Sequence, residues 1–279
     1  MFDSVGSGET CAAEFVGHPG GHRINSFVVS GALLGAVGIL NRVTSILSSW
    51  HFKIISVIEG LVFGYSQPSA YHFSHDSIEL AARAVALLSR ENNVGRFRGL
   101  DLCAGCGVVG FEILRGLYRG LKSVPPALRP MWEADFTEVQ SVYLPHFEVN
   151  RDRFLSEFPT VPAEVMKWRP MNYAELLTEP NGQYDWIVSN PPYFDPVQGK
   201  LPPSEFKARC RFFIDSDFET LCRSVAHALA PKGLALLLVR DLSDPVRRRQ
   251  EILDRVFNTH GSWLELEPVR GTSLIQVRK

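Results

Sequence analysis

The 279-residue chain carries almost no net charge, since 29 lysines and arginines stand against 30 aspartates and glutamates. Domains that grip nucleic acid over a broad surface usually carry a basic excess, so any such contact here has to be a local patch. Cysteine is scarce, with five scattered positions, Cys11, Cys103, Cys106, Cys210 and Cys222. That number and spacing exclude a disulfide framework and suit a reducing compartment, read here as the cytoplasm. Cys103 and Cys106 form a C-x-x-C, but glycines lie beside it, and it reads as two small loop residues rather than a redox pair. No repeat period is present, which excludes a solenoid.

Long apolar runs are missing too. Residues 27–40, "FVVSGALLGAVGIL", follow Arg23 and are similar to the apolar core of a signal peptide. They fall short of the roughly 20 residues a spanning helix needs, and no small-residue cleavage site follows. We read them as a packed or membrane-indifferent helix, or as an extension from an upstream start codon, and expect no stable membrane association. With 45% hydrophobic residues, the chain can hold one large α/β domain with an appendage. The expected division is an extension over residues 1–55 and a catalytic domain over 56–279.

From about residue 61 the pattern becomes regular. Residues 77–91, "SIELAARAVALLSRE", place apolar side chains at helical spacing behind Asp76, a residue able to cap the first turn. A short apolar strand at 100–103 then leads into a glycine-rich turn and a second amphipathic helix. Further apolar runs lie in "PMWEAD", "AEVMKW", "YDWIVS" and "GLALLLV", with helical segments between them, notably "EVQSVYLPHFEVN", "DFETLCRSVAHALA" and "DPVRRRQEILDRVF". Alternation of this kind predicts a mostly parallel sheet with helices on both faces. The last two runs, "SWLELEPV" and "TSLIQVR", leave no room for a helix between them, so they predict an antiparallel hairpin at the end of the sheet.

Three features carry chemistry. The first is Asp101-x-x-x-Gly105-x-Gly107-x-x-Gly110, between a strand and a helix, where glycines let backbone amides approach a ligand. An acid at the strand end ahead of the glycines fits an S-adenosylmethionine loop better than a dinucleotide loop. The second is "WEAD", whose carboxylate at a strand tip would accept hydrogen bonds from ribose hydroxyls, with Glu133 as the choice and Asp135 in reserve. Asn172 falls where a polar side chain either meets the adenine of the cofactor or caps the helix that follows.

The third is "VSNPPYF", residues 188–194. Pro191 and Pro192 fix the backbone and remove donors, leaving carbonyls beside the Asn190 amide and the aromatic rings of Tyr193 and Phe194. Acceptors beside a flat surface suit a planar group bearing an NH₂, either an exocyclic base amine or a carboxamide.

In this order, the three features resemble the class I S-adenosylmethionine-dependent methyltransferases. Asn-Pro-Pro-Tyr narrows the resemblance to enzymes acting on adenine N6 or on glutamine amides. It implies that Asn190 and the Pro191 carbonyl hold the target amine while Tyr193 stacks on the base, with Pro192 keeping the turn rigid. "QPSAYHFSHDSIELA", residues 67–81, and "NPPYFDPVQGKLPPSEFKARCRF", residues 190–212, are similar to the corresponding segments of bacterial tRNA adenine-N6 methyltransferases that modify the adenosine beside the anticodon of a valine tRNA. Asn172 stands where an acid is common in that branch.

The resemblance implies S-adenosylmethionine as cofactor, an RNA partner and no metal. It also puts Ser74 to Asp76 at the lid over the methionine end, unless Asp76 serves only as a helix cap. For RNA capture the basic residues are Lys200, Lys207, Arg209 and Arg211, then Arg247 to Arg249, beside Phe194 as a substrate contact. The alternative is a protein-glutamine methyltransferase acting on release factors, which would carry P-R-x-D-T-E where this chain has "FSHDSIE". A binding protein that has lost catalysis is the third reading, opposed by the intact motif.

Overall fold

The computed structural model describes residues 64–279 apart from 91–94, 126–127, 199, 243, 245–247 and 260. The expected helix at 27–40, Cys11, Arg247 and the whole of the proposed extension lie outside the described residues.

Seven strands form one sheet: β1 Arg96–Leu102, β2 Met131–Thr137, β3 Met166–Arg169, β4 Tyr184–Ser189, β5 Leu229–Val239, β6 Ser262–Val269 and β7 Thr272–Arg278. Their order is β3-β2-β1-β4-β5-β7-β6. The first five run parallel, and β7 pairs antiparallel with both β5 and β6. This is the mostly parallel sheet with an antiparallel hairpin that the sequence predicts. The strand order switches sides between the parallel neighbours β1 and β4, and in such sheets ligands bind at that switch point, outside the carboxyl ends of the strands.

The α-helices among the described residues are α1 His75–Leu88, α2 Val108–Gly120, α3 Leu144–Glu157, α4 Glu205–Arg211, α5 Phe218–Ala228 and α6 Arg249–Phe257. The central strands are buried on both faces, and the second half of β5, residues 234–239, shows why such a run is uniformly apolar. Leu234, Leu236 and Leu238 join one core layer with Leu80, Phe111 and Phe147. Ala235, Leu237 and Val239 alternate into the other, with Leu221 of α5 and Leu253 of α6. Close packing also explains Gly99, the partner of Trp186 in the β1–β4 register. A Cβ there would lie 1.8 Å from the indole.

Three element bounds depart from the sequence reading. Helix α1 begins at His75 with Ser74 in the cap position, so Asp76 sits within the first turn. "EVQSVYLPHFEVN" is divided: Glu138 ends the β2 region, a 3₁₀ turn covers Ser141–Tyr143, and α3 starts at Leu144 with Pro145 where its missing N–H does no harm. Helix α6 starts only at Arg249. The outer strand β6 carries Glu265, Glu267 and Pro268, and its register with β7 shifts between Leu266 and Val269. No helix among the described residues is long and apolar enough to cross a membrane.

Candidate active site

A cavity of about 360 Å³ opens at the carboxyl ends of β1, β2 and β4, within the range that holds small ligands. Its floor is the turn from β1 into α2. Cys103, Gly105 and Gly107 all have positive φ there, at 62°, 55° and 84°. Gly105 lines the cavity, while Gly107 lies behind it, where a Cβ would come within 2.7 Å of the Phe111 ring.

Asp101 is fully buried beneath this turn and does not line the cavity. Its Oδ2 accepts from the Gly110 N–H at 2.8 Å, so it holds the start of α2 rather than a ligand. Burial raises its carboxyl to about 7, with the Gly110 N–H opposing and the Glu138 charge adding to the rise.

Glu133 and Asp135, the acids expected at the tip of β2, lie within the strand and away from the cavity. Glu133 pairs with Arg96 at 2.8 Å, and Asp135 pairs with Arg98 at 2.7 Å and accepts from the Tyr184 hydroxyl. The strand continues through Phe136 and Thr137, so the acid at its tip is Glu138. Glu138 lines the cavity, and its two oxygens accept from the N–H groups of Gly105 at 2.9 Å and Gln140 at 2.8 Å. Burial pushes its carboxyl up, against the pull of those N–H donors. The sequence signal for Glu138 is that it is the first acid beyond Phe136, the last apolar residue of β2.

Asn190, Pro191, Pro192, Tyr193 and Phe194 follow β4 and all line the cavity. Ser189 ties the strand end to β1 by donating to the Leu102 carbonyl at 2.8 Å. The Asn190 amide is held at both ends: Nδ2 donates to Ser77 Oγ at 2.9 Å, and Oδ1 accepts from the Tyr193 hydroxyl at 2.6 Å. Burial raises the Tyr193 phenol, which keeps it a donor through the neutral range. Ser77, in the first turn of α1, is buried and was not anticipated from sequence.

Asn172 borders the cavity, but its amide is engaged as a cap. It accepts from the Ala174 N–H at 2.9 Å and donates to the Asp215 carbonyl at 2.9 Å. Ser74 and Asp76 also border it, and Asp76 pairs with Arg270 at 3.4 Å.

The basic residues separate. Arg209 and Arg211 line the cavity, whereas Lys200 and Lys207 are exposed beyond it. Arg209 is neutralised by Glu205 at 3.0 Å and Asp215 at 3.2 Å. Arg249 departs from the expected basic cluster: it is buried, and it donates to the Tyr193 carbonyl at 2.6 Å. Its spacing with Leu253, Val256 and Phe257 places it on the inward stripe of α6.

Burial raises the Cys103 thiol, and pushes Cys106 to about 12, so neither is poised as a thiolate. No group of three or more His, Cys, Asp or Glu side chains among the described residues could hold a metal ion.

No family model matches the chain. Over 83 residues it is 30% identical to the tRNA1(Val) (adenine(37)-N6)-methyltransferase of Shewanella loihica, a match covering 30% of this chain and 32% of that protein. The match therefore spans about a third of the length of this curated relative. Among solved structures, a Listeria monocytogenes protein described as a class I S-adenosylmethionine-dependent methyltransferase superposes with a TM-score of 0.50 at 14% identity, covering 78% of this chain and 64% of that one. The 16S rRNA N2 G1207 methyltransferase of T. thermophilus, solved with AdoMet and guanosine, gives 0.48 at 19%, covering 76% and 44%. The sheet order and the superposition on the Listeria protein give the fold alone, the Rossmann-like fold of class I methyltransferases.

Proposed function

We propose that the chain is an S-adenosylmethionine-dependent methyltransferase that modifies N6 of an adenine in RNA, with tRNA near the anticodon as the favoured target. The observation that carries this reading is the position of the Asn190 amide and the Pro191 turn in the same cavity as Glu138 and Gly105. Residues 56–279 would form the catalytic domain, working in the cytoplasm, with 1–55 as an extension.

The residues present fit the cofactor. Glu138 is a buried carboxylate at the tip of β2, already oriented by two N–H donors and suited to ribose hydroxyls. Gly105 presents bare backbone to the cavity, and Ser74 and Asp76 border it from α1. When bound, S-adenosylmethionine supplies an electrophilic methyl group.

Adenine N6 is a poor nucleophile because its lone pair is delocalised into the ring. Asn190 Oδ1 and the Pro191 carbonyl would accept its two N–H bonds in the pyramidal geometry that localises the lone pair, which is differential binding of the transition state. The Tyr193 hydroxyl donates to that Oδ1 in the structure. An incoming N–H donor replaces one hydrogen bond with another, so the exchange leaves no buried acceptor empty. The Tyr193 ring then offers a face for the base, and stacking worth about 1–3 kcal/mol offsets its extrusion from neighbouring bases.

The test is methyl transfer from labelled S-adenosylmethionine to unmodified total tRNA, with purified release factor in parallel and Asn190→Ala as control. N6-methyladenosine in tRNA that vanishes in the variant is the expected result. Label on release factor alone would replace this reading with glutamine methylation.

A further inference from the structure

Five arginines surround the mouth of the cavity or the motif, and their partners differ. Arg209 faces Glu205 and Asp215, Arg249 lies 3.6 Å from Asp195, and Arg270 pairs with Asp76. Arg211 and Arg240 have no carboxylate partner among the described residues. Each instead lies over an aromatic ring of the motif: the Arg211 guanidinium is 5.6 Å from the centroid of Phe194, and that of Arg240 is 5.4 Å from the centroid of Tyr193. Both border the cavity.

Arg240 is the informative one. It is the first residue beyond β5, the strand beside β4, so its backbone emerges next to the motif and at the same end of the sheet. It is half-buried, and no acid among the described residues neutralises it. Its guanidinium also covers the ring on which, under the reading above, the target base stacks. A guanidinium and a base cannot share that face.

We infer that Arg240 is a placeholder on the base-stacking surface which, when the target nucleotide enters, moves off the Tyr193 ring and binds a backbone phosphate of that nucleotide. This rests on the proposed reading of the site and extends it to a residue with no assigned role. The exchange is favoured because a cation–π contact at a half-exposed site is weak. A guanidinium meeting a phosphate forms paired, charge-assisted hydrogen bonds that are stronger. The cation thus guards the apolar ring while the site is empty and supplies the counter-charge when it is filled. Arg211 over Phe194 is placed to do the same for an adjoining phosphate. A glutamine side chain on a peptide brings no such anion, so the pair selects for a phosphodiester-linked substrate.

The experiment measures binding of an unmodified tRNA transcript by anisotropy across a salt series, with S-adenosylmethionine affinity measured by calorimetry on the same samples. Arg240→Ala is expected to weaken transcript binding about tenfold and to reduce the slope of log K against log salt by about 0.7, the loss of one single-strand phosphate contact. Cofactor affinity should stay within about twofold. Arg240→Lys, which keeps the charge but loses the paired geometry, should retain the slope and bind more weakly than wild type. If wild type methylates tRNA and Arg240→Ala leaves both transcript affinity and slope unchanged, the placeholder role is overturned while the function stands. If wild type methylates only release factor, both fall together.

Discussion

The backbone N–H of Gly105 donates to Glu138 Oε2 at 2.9 Å, joining the turn after β1 to the tip of β2. One carboxylate therefore fixes the loop that shapes the cavity floor and faces the cavity itself. Replacing it acts on both.

Glu138→Gln is expected to weaken S-adenosylmethionine binding by tenfold or more, measured by calorimetry. Hydrogen bonds to a charged group contribute about 1.5–3 kcal/mol each, and the amide keeps only part of that acceptor strength. Glu133→Gln, at the acid inside β2, should leave cofactor affinity unchanged and lower stability modestly through its pair with Arg96. Equal effects on affinity would remove Glu138 from the site.

Gly107→Ala and Gly105→Ala should separate stability from binding. At Gly107 the new Cβ meets Phe111 at 2.7 Å in a left-handed conformation, and the melting temperature should fall by an amount equivalent to about 1–3 kcal/mol. At Gly105 the nearest atom is 3.7 Å away on the Tyr143 ring, so only the backbone preference is lost, about 1 kcal/mol, and cofactor affinity should suffer more than stability. A larger melting shift at Gly105 than at Gly107 would contradict this assignment.

Ser77→Ala should lower kcat about five- to tenfold with little change in cofactor affinity. The serine hydroxyl is the acceptor that orients the Asn190 amide, and removing it leaves a partly buried NH₂ without that partner. Equal losses in kcat and in cofactor binding would mean that Ser77 serves only to seat α1.

The Asp101 carboxyl, near 4 in an unfolded chain and about 7 in the fold, gives stability a pH dependence of defined sign. Between those values the folded chain holds a proton that the unfolded chain has lost, so raising pH favours unfolding. The contribution is fully present below about pH 4 and lost as pH rises through about 7, with a slope approaching about 1.4 kcal/mol per pH unit. Glu138, also raised, acts in the same sense. Urea midpoints recorded from pH 4 to pH 8 should fall for wild type and fall less steeply for Asp101→Asn. A steeper fall in the variant would refute this.

The mostly parallel sheet and its antiparallel end are legible because alternating apolar and helical segments leave few topologies, and because "SWLELEPV" and "TSLIQVR" are separated by too little chain for a crossover. The cavity-lining motif was legible for a local reason: two prolines beside an amide and two rings restrict what a turn can do. The acid of β2 was misplaced because charged residues inside a strand look like its end. Glu133 and Asp135 are tolerated there by Arg96 and Arg98 on the neighbouring strand, a pairing invisible until register is known. Arg249 was read as surface charge for a similar reason, since only the helical stripe it shares with Leu253 turns it inward. Ser77 lies 113 residues from the amide it orients, and no local pattern announces that contact.

The hairpin that closes the sheet has a consequence for the molecule's neighbours. An outermost strand presents backbone donors and acceptors to any other extended chain. Along β6, Pro268 withholds one donor, the shifted register after Leu266 breaks the regular spacing, and Glu265 and Glu267 would set like charges against a second copy. The opposite border, β3, is only four residues long. Both borders of the sheet thus discourage strand-to-strand pairing between copies, a protection that the almost absent net charge does not supply.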